Sequence, residues 1–416
     1  MPVVLFLTLL PAFSPGWAQE PLPLTLAEAE DLALYTEPGQ AALLARANSL
    51  EEQAVAAGEL PDPTLRVGLA NFPVQSGGFA TEAMTQAQLG IRQAFPPGKT
   101  RAYSARRFQS LATEMDQSAD ARARDVLTSV RSAWLDVYYW EHAHTLVSES
   151  RPYFEDLVTV TRSLYSVGKK DQQDVLRADL ELSRLDDRLI DIRQQRARAR
   201  AELSQWLGED ARRPLAERLP PWRQLPPLEV LQNQFASHPA LQAADARVAA
   251  RIAGIDLAKE RFKPGWAMDF GYGYRDGSLP NGNPRSDFVS LSVTVDLPFF
   301  RKNRQDRSLA AALGERRAAV ESKEELRRHL ASQLEAEYSR WQELSRRIDL
   351  YERVIVVQTE DRANAALAAY QSETGDFADV MRGFIDELNS RHDHIRLQTE
   401  RDQSYAVLAN LGGISR

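Results

Sequence analysis

The segment Trp266-Ala-Met-Asp-Phe-Gly-Tyr-Gly-Tyr-Arg275 alternates between large apolar side chains and small or charged ones. Successive side chains of a β-strand point to opposite faces, so one face of this strand would be aromatic and the other small or charged. Residues 289–297 repeat the alternation with Val and Leu against Ser, Thr and Asp. The pattern predicts two neighbouring strands, at about 265–276 and 286–298, that share one strongly apolar face.

Two earlier segments, at about 62–73 and 85–96, carry a weaker version of the same alternation, and Gln93 interrupts the apolar face of the second. Four strands of about ten residues result, and that length lets a tilted strand cross a bilayer. The alternative is a pair of soluble hairpins whose apolar faces pack on helices. If the strands lie in lipid, several chains must close one barrel, because an open sheet edge would leave backbone groups unsatisfied.

The chain is an internal tandem repeat of about 200 residues. Pro38 and Pro63 recur 201 residues later, and a segment beginning at Tyr165 recurs 205 residues later. A stretch with five prolines separates the copies and excludes a helix interior or central strand, because proline removes a donor and fixes φ. The predicted divisions are the first repeat, the connector and the second repeat, at 19–213, 214–227 and 228–416.

Each copy also contains a very long helical pattern. Residues 101–164 have no glycine, and their apolar residues recur at three- and four-residue steps; the apolar residues of 303–370 recur at similar steps. Pro152 has no counterpart in the second copy, so we expect a kink or break in the first helix and none in the second. Such lengths favour a coiled-coil shaft or tube, and the fold class is mainly α with a small β part.

Composition excludes several functions. The formal charge of −7 removes the general attraction that nucleic-acid binders need. The chain has no cysteine and six histidines, and the pairs His142/His144 and His392/His394 stand at i,i+2, which points the rings to different faces of a helix. No catalytic triad spacing, phosphate loop or HExxH motif occurs. We therefore predict no nucleic-acid partner, no metal site, no cofactor and no enzymatic activity.

The N-terminus indicates export. An apolar run, Val3 to Phe13, precedes Gly16-Trp17-Ala18, which has small residues at the two positions that a signal peptidase reads. We predict a cleaved signal peptide at 1–18, with a simple hydrophobic N-terminus as the alternative. No later stretch reaches the length of a transmembrane helix.

Four motifs in duplicated order point to a known family. Two strand-exit segments read Gln93-Ala-Phe-Pro-Pro-Gly-Lys99 and Asp296-Leu-Pro-Phe-Phe-Arg-Lys-Asn-Arg304, and two turn segments run from Tyr165 to Leu176 and from Tyr370 to Met381. Together with the repeat, they resemble the TolC-like outer-membrane efflux factors of Gram-negative bacteria over nearly the whole mature chain. The strand-exit segments are most similar to the branch associated with cobalt-zinc-cadmium and copper efflux.

The resemblance implies a homotrimer in outer-membrane lipid. Twelve strands would form one barrel, and twelve helices would form a periplasmic tunnel that meets a periplasmic adaptor (membrane fusion) protein and an inner-membrane pump of the resistance-nodulation-division type. The implied function is a passive export conduit in a tripartite efflux system, with heavy-metal cations as a cargo. The alternative function is a non-transporting periplasmic coiled-coil scaffold or adaptor whose hairpins pack within its own fold.

The turn segments hold the first group of candidate site residues. In each, two aspartates three positions apart have the form of an N-cap followed by a carboxylate at N3, and capping alone would explain them. The resemblance implies that such carboxylates constrict the periplasmic entrance of the tunnel. The candidate entrance residues are Asp171, Asp174, Asp376 and Asp379.

Two further groups complete the candidate site. The resemblance implies an adaptor-docking tip, for which an ordinary helix C-cap with Gly168 in the left-handed conformation is the alternative. The candidate docking residues are Tyr165, Val167, Gly168 and Tyr370. The strand alternation predicts that polar side chains line the water-filled lumen of the barrel, namely Asp269, Ser290, Ser292 and Thr294.

Overall fold

The computed structural model describes residues 22–372 and 374–414, so the predicted signal segment 1–18 lies outside the described residues. Within that part, helices dominate and four strands form the β part, as predicted. The helices are α1 (Leu26–Thr36), α2 (Pro38–Gly58), α3 (Thr100–Ser166), α4 (Gln172–Leu207), α5 (Leu228–Phe235), α6 (Pro239–Glu260), α7 (Gln305–Leu350), α8 (Val356–Gln371) and α9 (Phe377–Gly412). The strands are β1 (Thr64–Ala70), β2 (Gln86–Phe95), β3 (Trp266–Tyr274) and β4 (Phe288–Val295).

The four strands form one antiparallel sheet in the order β1-β2-β3-β4. The two hairpins of the repeats are joined through β2 and β3, where Ile91 stands opposite Phe270. On the next pair, Phe270 stands opposite Leu291. Because residues opposite each other share a face, this register collects the apolar residues of all four strands on one side of the sheet.

Three of the strands are shorter than the predicted ten residues. β1, β3 and β4 contain 7, 9 and 8 residues, and only β2 contains 10. Proline and a turn residue set the limits of β1, since Pro63 precedes it and Asn71 follows it with a φ of 54°. A left-handed residue ends the extended backbone of a strand.

The long helices differ from the expectation. α3 continues through Pro152 without a break and contains 67 residues. In the second copy, by contrast, a π-helical turn at Tyr351–Ile355 separates α7 from α8. The prediction of an uninterrupted second helix was therefore wrong. The stretch from Pro298 to Tyr370 is three residues longer than that from Pro96 to Tyr165, and a π-turn takes up inserted residues within a helix.

The chain divides into two compact units. Among the described residues, the first contains 22–36, 130–223, 347–372 and 374–402, and the second contains 37–129, 224–346 and 403–414. Each has a core of amphipathic helix faces. The core of the first unit includes Phe154, Leu157, Ile192, Phe377, Val380 and Leu388. The core of the second includes Leu231, Leu241, Leu334, Leu408 and Leu411.

No helix in the described part of the chain combines the length and the apolar content needed to cross a membrane.

Candidate functional site

The apolar face of the sheet is solvent-exposed in the single chain. Its large apolar side chains are between 39% and 74% exposed, and no helix of the described residues covers them. This face consists of Leu65, Val67, Leu69, Leu89, Ile91, Trp266, Met268, Phe270, Tyr272, Tyr274, Val289, Leu291, Val293 and Val295. The two hairpins therefore do not bury their apolar faces on helices of their own chain. A continuous apolar surface of this kind marks a site that another molecule or a membrane covers.

Gln93 is the polar exception on this face. It stands opposite Met268, and its side-chain amide donates hydrogen bonds to the carbonyl oxygens of Pro61, at 2.9 Å, and Ala94, at 3.0 Å. Both bonds lie at the end of β2, close to its exit from the sheet. The polar side chain of Gln93 is thus hydrogen-bonded to backbone carbonyl groups, which lowers the free-energy cost of placing it on an apolar face.

The opposite face is polar and concave. Asp269 stands opposite Arg92 on one side and Ser292 on the other, and the Arg92 Nη1 to Asp269 Oδ1 distance is 3.8 Å. Ser290 and Thr294 belong to the same face of β4. This face encloses a trough of about 630 Å³. The structure thus brings the four predicted lumen residues together on one surface.

Two arginines of the polar face were missing from the predicted lumen set. Arg66 on β1 and Arg92 on β2 line the same trough as Asp269. The signal was present in the alternation, which assigns both arginines to the polar face. Arg66 makes no ion pair with any described residue, so this face carries more positive than negative charge.

The first turn, between α3 and α4, is a Schellman motif. The Gly168 N–H donates to the Tyr165 carbonyl and the Lys169 N–H donates to the Leu164 carbonyl, both at 2.9 Å. Gly168 has a φ of 74°, which suits glycine. The C-cap alternative for Gly168 is confirmed. Tyr165 and Val167 remain exposed beside it.

Tyr370, the corresponding residue of the second turn, is buried. Its ring lies 5.6 Å from the ring of Phe377, between centroids, and the ammonium nitrogen of Lys170 lies 4.6 Å from its centre. Lys170 belongs to the first turn, so the two turns of one chain are neighbours. Unlike Tyr165, Tyr370 supports the turns from inside and presents little surface to a partner.

Of the two aspartates predicted to cap helices at the turns, Asp376 makes a side-chain capping hydrogen bond and Asp171 does not. The side chain of Asp171 makes no capping hydrogen bond, so the prediction for that residue was wrong. Its backbone carbonyl instead accepts from the Asp174 N–H at 3.1 Å, and Asp376 accepts from Asp379 in the same way. The Asp376 carboxylate also accepts from the Ala378 N–H, at 3.4 Å. Backbone hydrogen bonds therefore close both turns, and the Asp376 carboxylate adds a side-chain cap to the second one only.

Asp174 and Asp379 have different surroundings. Partial burial, followed by the negative charge of Asp376, raises the pKa of Asp174, whereas Lys170 and Arg177 oppose that shift. Asp379 is exposed and pairs with Arg382, with 3.4 Å between Asp379 Oδ1 and Arg382 Nη2. The structure therefore groups Asp174 with Asp376 across the two turns, while Asp379 lies beside an arginine of its own helix.

The histidine pairs are explained by packing. The Tyr139 hydroxyl and His392 Nε2 are 3.0 Å apart, and His142 Nδ1 lies 2.9 Å from the Tyr138 carbonyl oxygen. Among the described residues, no group of three or more His, Asp or Glu side chains could hold a metal ion.

Two titratable groups in the first unit, the buried Asp402 and the partly buried His392, have opposite pKa shifts. Asp402 is fully buried; its Oδ1 accepts from Arg401 Nη2 at 2.7 Å, whereas its Oδ2 has no hydrogen-bond partner in the described part. Burial raises the pKa of Asp402 to about 6. Burial also lowers the pKa of His392 to about 4, and the charge of Arg188 adds to that effect.

These shifts predict opposite pH dependences in two variants. Protonated Asp402 stabilises the folded chain, and this contribution is lost as the pH rises through about 6. Neutral His392 also stabilises the folded chain, and its contribution to the free energy of unfolding is lost as the pH falls toward about 4. Relative to the parent, Asp402→Asn should therefore lose up to about 3 kcal/mol of unfolding free energy between pH 7 and pH 4, and His392→Gln should gain a similar amount.

Urea unfolding of the detergent-solubilised protein at pH 4, 5.5 and 7 measures both slopes. Thr399→Ala, a buried uncharged position on the same helix, serves as the control and should keep the parent's pH dependence. Parallel pH profiles for the Asp402 and His392 variants would contradict the assignment.

The described residues thus combine long helices, a small sheet with one apolar and one polar face, and two helix turns that carry carboxylates. Residues 230–413 match the family model described as "Outer membrane efflux protein".

Comparisons with known proteins cover most of the chain. Protein CyaE of Bordetella pertussis is 26% identical over 415 residues, covering 94% of this chain and 85% of that protein. The outer membrane protein VceC of Vibrio cholerae has a TM-score of 0.77 at 17% identity, covering 93% of this chain and 96% of the other. CusC, solved in a study of transmembrane channel formation, has a TM-score of 0.80 at 14% identity, covering 94% and 92%. The homologues are outer-membrane efflux channels of Gram-negative bacteria that extend into the periplasm, and they are not enzymes.

Proposed function

We propose that this chain is the outer-membrane channel of a tripartite efflux system, a passive conduit from the periplasm to the exterior. The observation that carries the proposal is the exposed apolar face of all four strands opposite a concave polar face. A lipid-facing apolar band around a polar lumen is the pattern of membrane β-barrels. A periplasmic scaffold would have to leave the same apolar surface in water.

The channel is a homotrimer. One chain supplies four strands, and the outer edges of β1 and β4 have no strand partner among the described residues. A single-chain barrel needs at least about eight strands, and lipid does not tolerate open sheet edges. Three copies joined by β4 of one to β1 of the next would give twelve strands, consistent with the resemblance described above.

Fractionation tests the channel against the scaffold. We expect a heat-modifiable trimer in purified outer membranes, because barrel closure requires the three chains to assemble in the bilayer. A monomer found only in the soluble periplasmic fraction would contradict the proposal and favour the scaffold.

The two turns form the periplasmic entrance and the adaptor-docking tip. Asp174, Asp376 and the exposed Asp379 and Asp171 place several carboxylates at adjacent turns, and exposed Tyr165 and Val167 flank the Gly168 cap. Threefold repetition would set these groups around one opening. The periplasmic adaptor, connected to a pump of the resistance-nodulation-division type, would contact the Tyr165 and Val167 surface.

Removing the entrance charge should change ion selectivity. Asp174→Asn together with Asp379→Asn removes about six carboxylates from a trimer while keeping side-chain size. We expect the cation-to-anion permeability ratio to fall roughly tenfold, because carboxylates around a constriction concentrate cations. Reversal potentials in planar bilayers under a salt gradient measure this ratio.

A matched control for this experiment is available on α4. Asp187→Asn with Asp191→Asn removes the same charge at exposed positions beyond the turn and should leave selectivity unchanged. An unchanged ratio in the entrance variant, combined with a clear loss of trimer stability, would leave a structural role for the two aspartates as the better explanation.

Heavy-metal cations are the cargo that we assign to this channel. The support is the similarity of the two strand-exit segments to the metal-efflux branch, together with the acidic turns, which favour cations. A strain that lacks the gene should become sensitive to cobalt, zinc, cadmium or copper salts, and the intact gene should restore tolerance. Unchanged tolerance to all four metals would remove this cargo assignment and leave the channel proposal in place.

A further inference from the structure

One end of the sheet carries a strong positive charge. At this end β2 and β4 finish and β1 and β3 begin, and the adjoining segments are 59–63, 96–101, 259–265 and 296–304, which we call the basic collar. The collar contains eight basic and four acidic residues, a formal charge of +4, in a chain whose total is −7. The loops at the opposite end, 71–85 and 275–287, contain two basic and three acidic residues.

Part of the collar surrounds a cavity of about 520 Å³. Arg261, Lys263 and Arg304 line it, and Asp296 is the one carboxylate among its lining residues. Lys263 pairs with Glu260, with 2.6 Å between Nζ and Oε1. Arg261 and Arg304 have no carboxylate partner among the described residues. Two exposed guanidinium groups beside one cavity therefore lack a counter-charge, and guanidinium groups bind phosphate well through paired donors.

Exposed aromatic residues adjoin these cations. Phe299 and Phe300 are 74% and 82% exposed and stand four and five residues after the end of β4. The guanidinium of Arg301 lies 5.8 Å from the ring centre of Phe262. Aromatic rings next to lysine and arginine are typical of the boundary between the apolar interior of a membrane and its headgroups.

We propose that the basic collar binds the phosphate of an anionic phospholipid, phosphatidylglycerol in the test below, in the cavity lined by Arg261, Lys263 and Arg304. The lipid's acyl chains would lie against Phe299, Phe300 and the apolar face of the sheet. Charge complementarity and the position of the collar directly beside that face favour a lipid over a soluble anion. The inference rests on the proposed function, because it requires the sheet to lie in a membrane.

Lipid titration of the intact trimer tests the site. Native mass spectrometry of the detergent-solubilised protein would compare phosphatidylglycerol with zwitterionic phosphatidylcholine. We expect the parent to prefer phosphatidylglycerol and Arg261→Gln/Arg304→Gln to bind it roughly 30-fold more weakly, since each basic residue beside an anionic lipid contributes about fivefold. Arg261→Lys/Arg304→Lys keeps the charge and removes only the paired donors, so its affinity should lie between those of the parent and the glutamine variant, which separates loss of charge from loss of fold.

The matched control is Arg316→Gln/Arg317→Gln, which removes the same charge from exposed positions further along α7 and should bind phosphatidylglycerol like the parent. Equal binding of the two lipids by the parent, or undiminished binding by the Arg261/Arg304 glutamine variant, would overturn the inference. Glycerol 3-phosphate binding as tightly as the lipid would overturn the lipid assignment in favour of a soluble phosphate. Planar-bilayer conductance of the same preparations distinguishes failure of this inference from failure of the proposed channel function. A parent that conducts ions but shows no lipid preference would contradict only this inference.

Discussion

Replacing Leu291 by lysine should destabilise the membrane-inserted protein by about 2 to 4 kcal/mol per substituted chain. Leu291 lies in the middle of β4, opposite Phe270, and its side chain is exposed on the apolar face. A lysine there would have to place an ammonium group in hydrocarbon or distort the strand to reach the headgroups. Guanidinium unfolding of the trimer from phospholipid vesicles measures the loss.

The neighbouring position supplies the control. Ser292 faces the polar side of the same strand, opposite Asp269, so Ser292→Lys should cost less than about 1 kcal/mol in a water-filled lumen. Similar losses at both positions would mean that the two faces do not differ in environment, and the assignment of lipid and lumen faces would fail.

Replacing Glu30 by leucine should destabilise the helical part of the chain by about 3 to 5 kcal/mol. Glu30 on α1 and Arg131 on α3 are 3% and 6% exposed, and 2.6 Å separates Glu30 Oε1 from Arg131 Nε. The guanidinium of Arg131 also lies 5.3 Å from the ring centre of Trp222. Without Glu30, the buried arginine would lose its counter-charge in a region that water hardly reaches. Chemical unfolding followed by helical circular dichroism measures the effect.

Two further variants separate charge burial from packing. Glu30→Leu with Arg131→Met removes both charges and should recover much of the lost stability, because a buried pair is often replaceable by apolar residues of similar size. Glu202→Leu breaks an exposed pair with Arg198 and should cost less than about 1 kcal/mol. A double variant as unstable as the single one would show that the ion pair is not the cause.

The strands could be predicted from the sequence because their alternation is local. Phe270 and Leu291 belong to the apolar face in both the sequence pattern and the observed register, since the period of a strand is two residues. The joining of β2 to β3 could not be derived from the alternation, because that pairing links residues nearly 180 apart along the chain. Only the resemblance to a trimeric barrel suggested that the hairpins of the two repeats belong to one sheet.

The turn residues show the limit of motif reasoning. Gly168 was predictable as a left-handed C-cap because glycine alone accepts a φ of 74° without strain. Asp171 has the correct residue type and spacing for an N-cap, yet its side chain makes no capping bond. Sequence spacing predicts which residue stands at the helix start, but it does not determine whether the side chain of that residue turns toward the free N–H groups of the helix.

The π-turn at Tyr351–Ile355 could not be read from propensity. Its residues suit an α-helix, and proline, the usual sign of an irregular helix, lies at position 152 in the other copy. The signal was the spacing between the copies, which grows from 202 residues at the strand exit to 205 at the turn. A length difference within one long helix has to be absorbed somewhere along it.

Thiol labelling tests the central claim most directly, because the chain contains no cysteine and any introduced thiol is unique. Leu291→Cys and Ser292→Cys would be treated in intact outer membranes with a membrane-impermeant maleimide. If the sheet forms the wall of a membrane channel, the maleimide should label position 292 rapidly and leave position 291 nearly unmodified. Equal labelling at the two positions would contradict the claim.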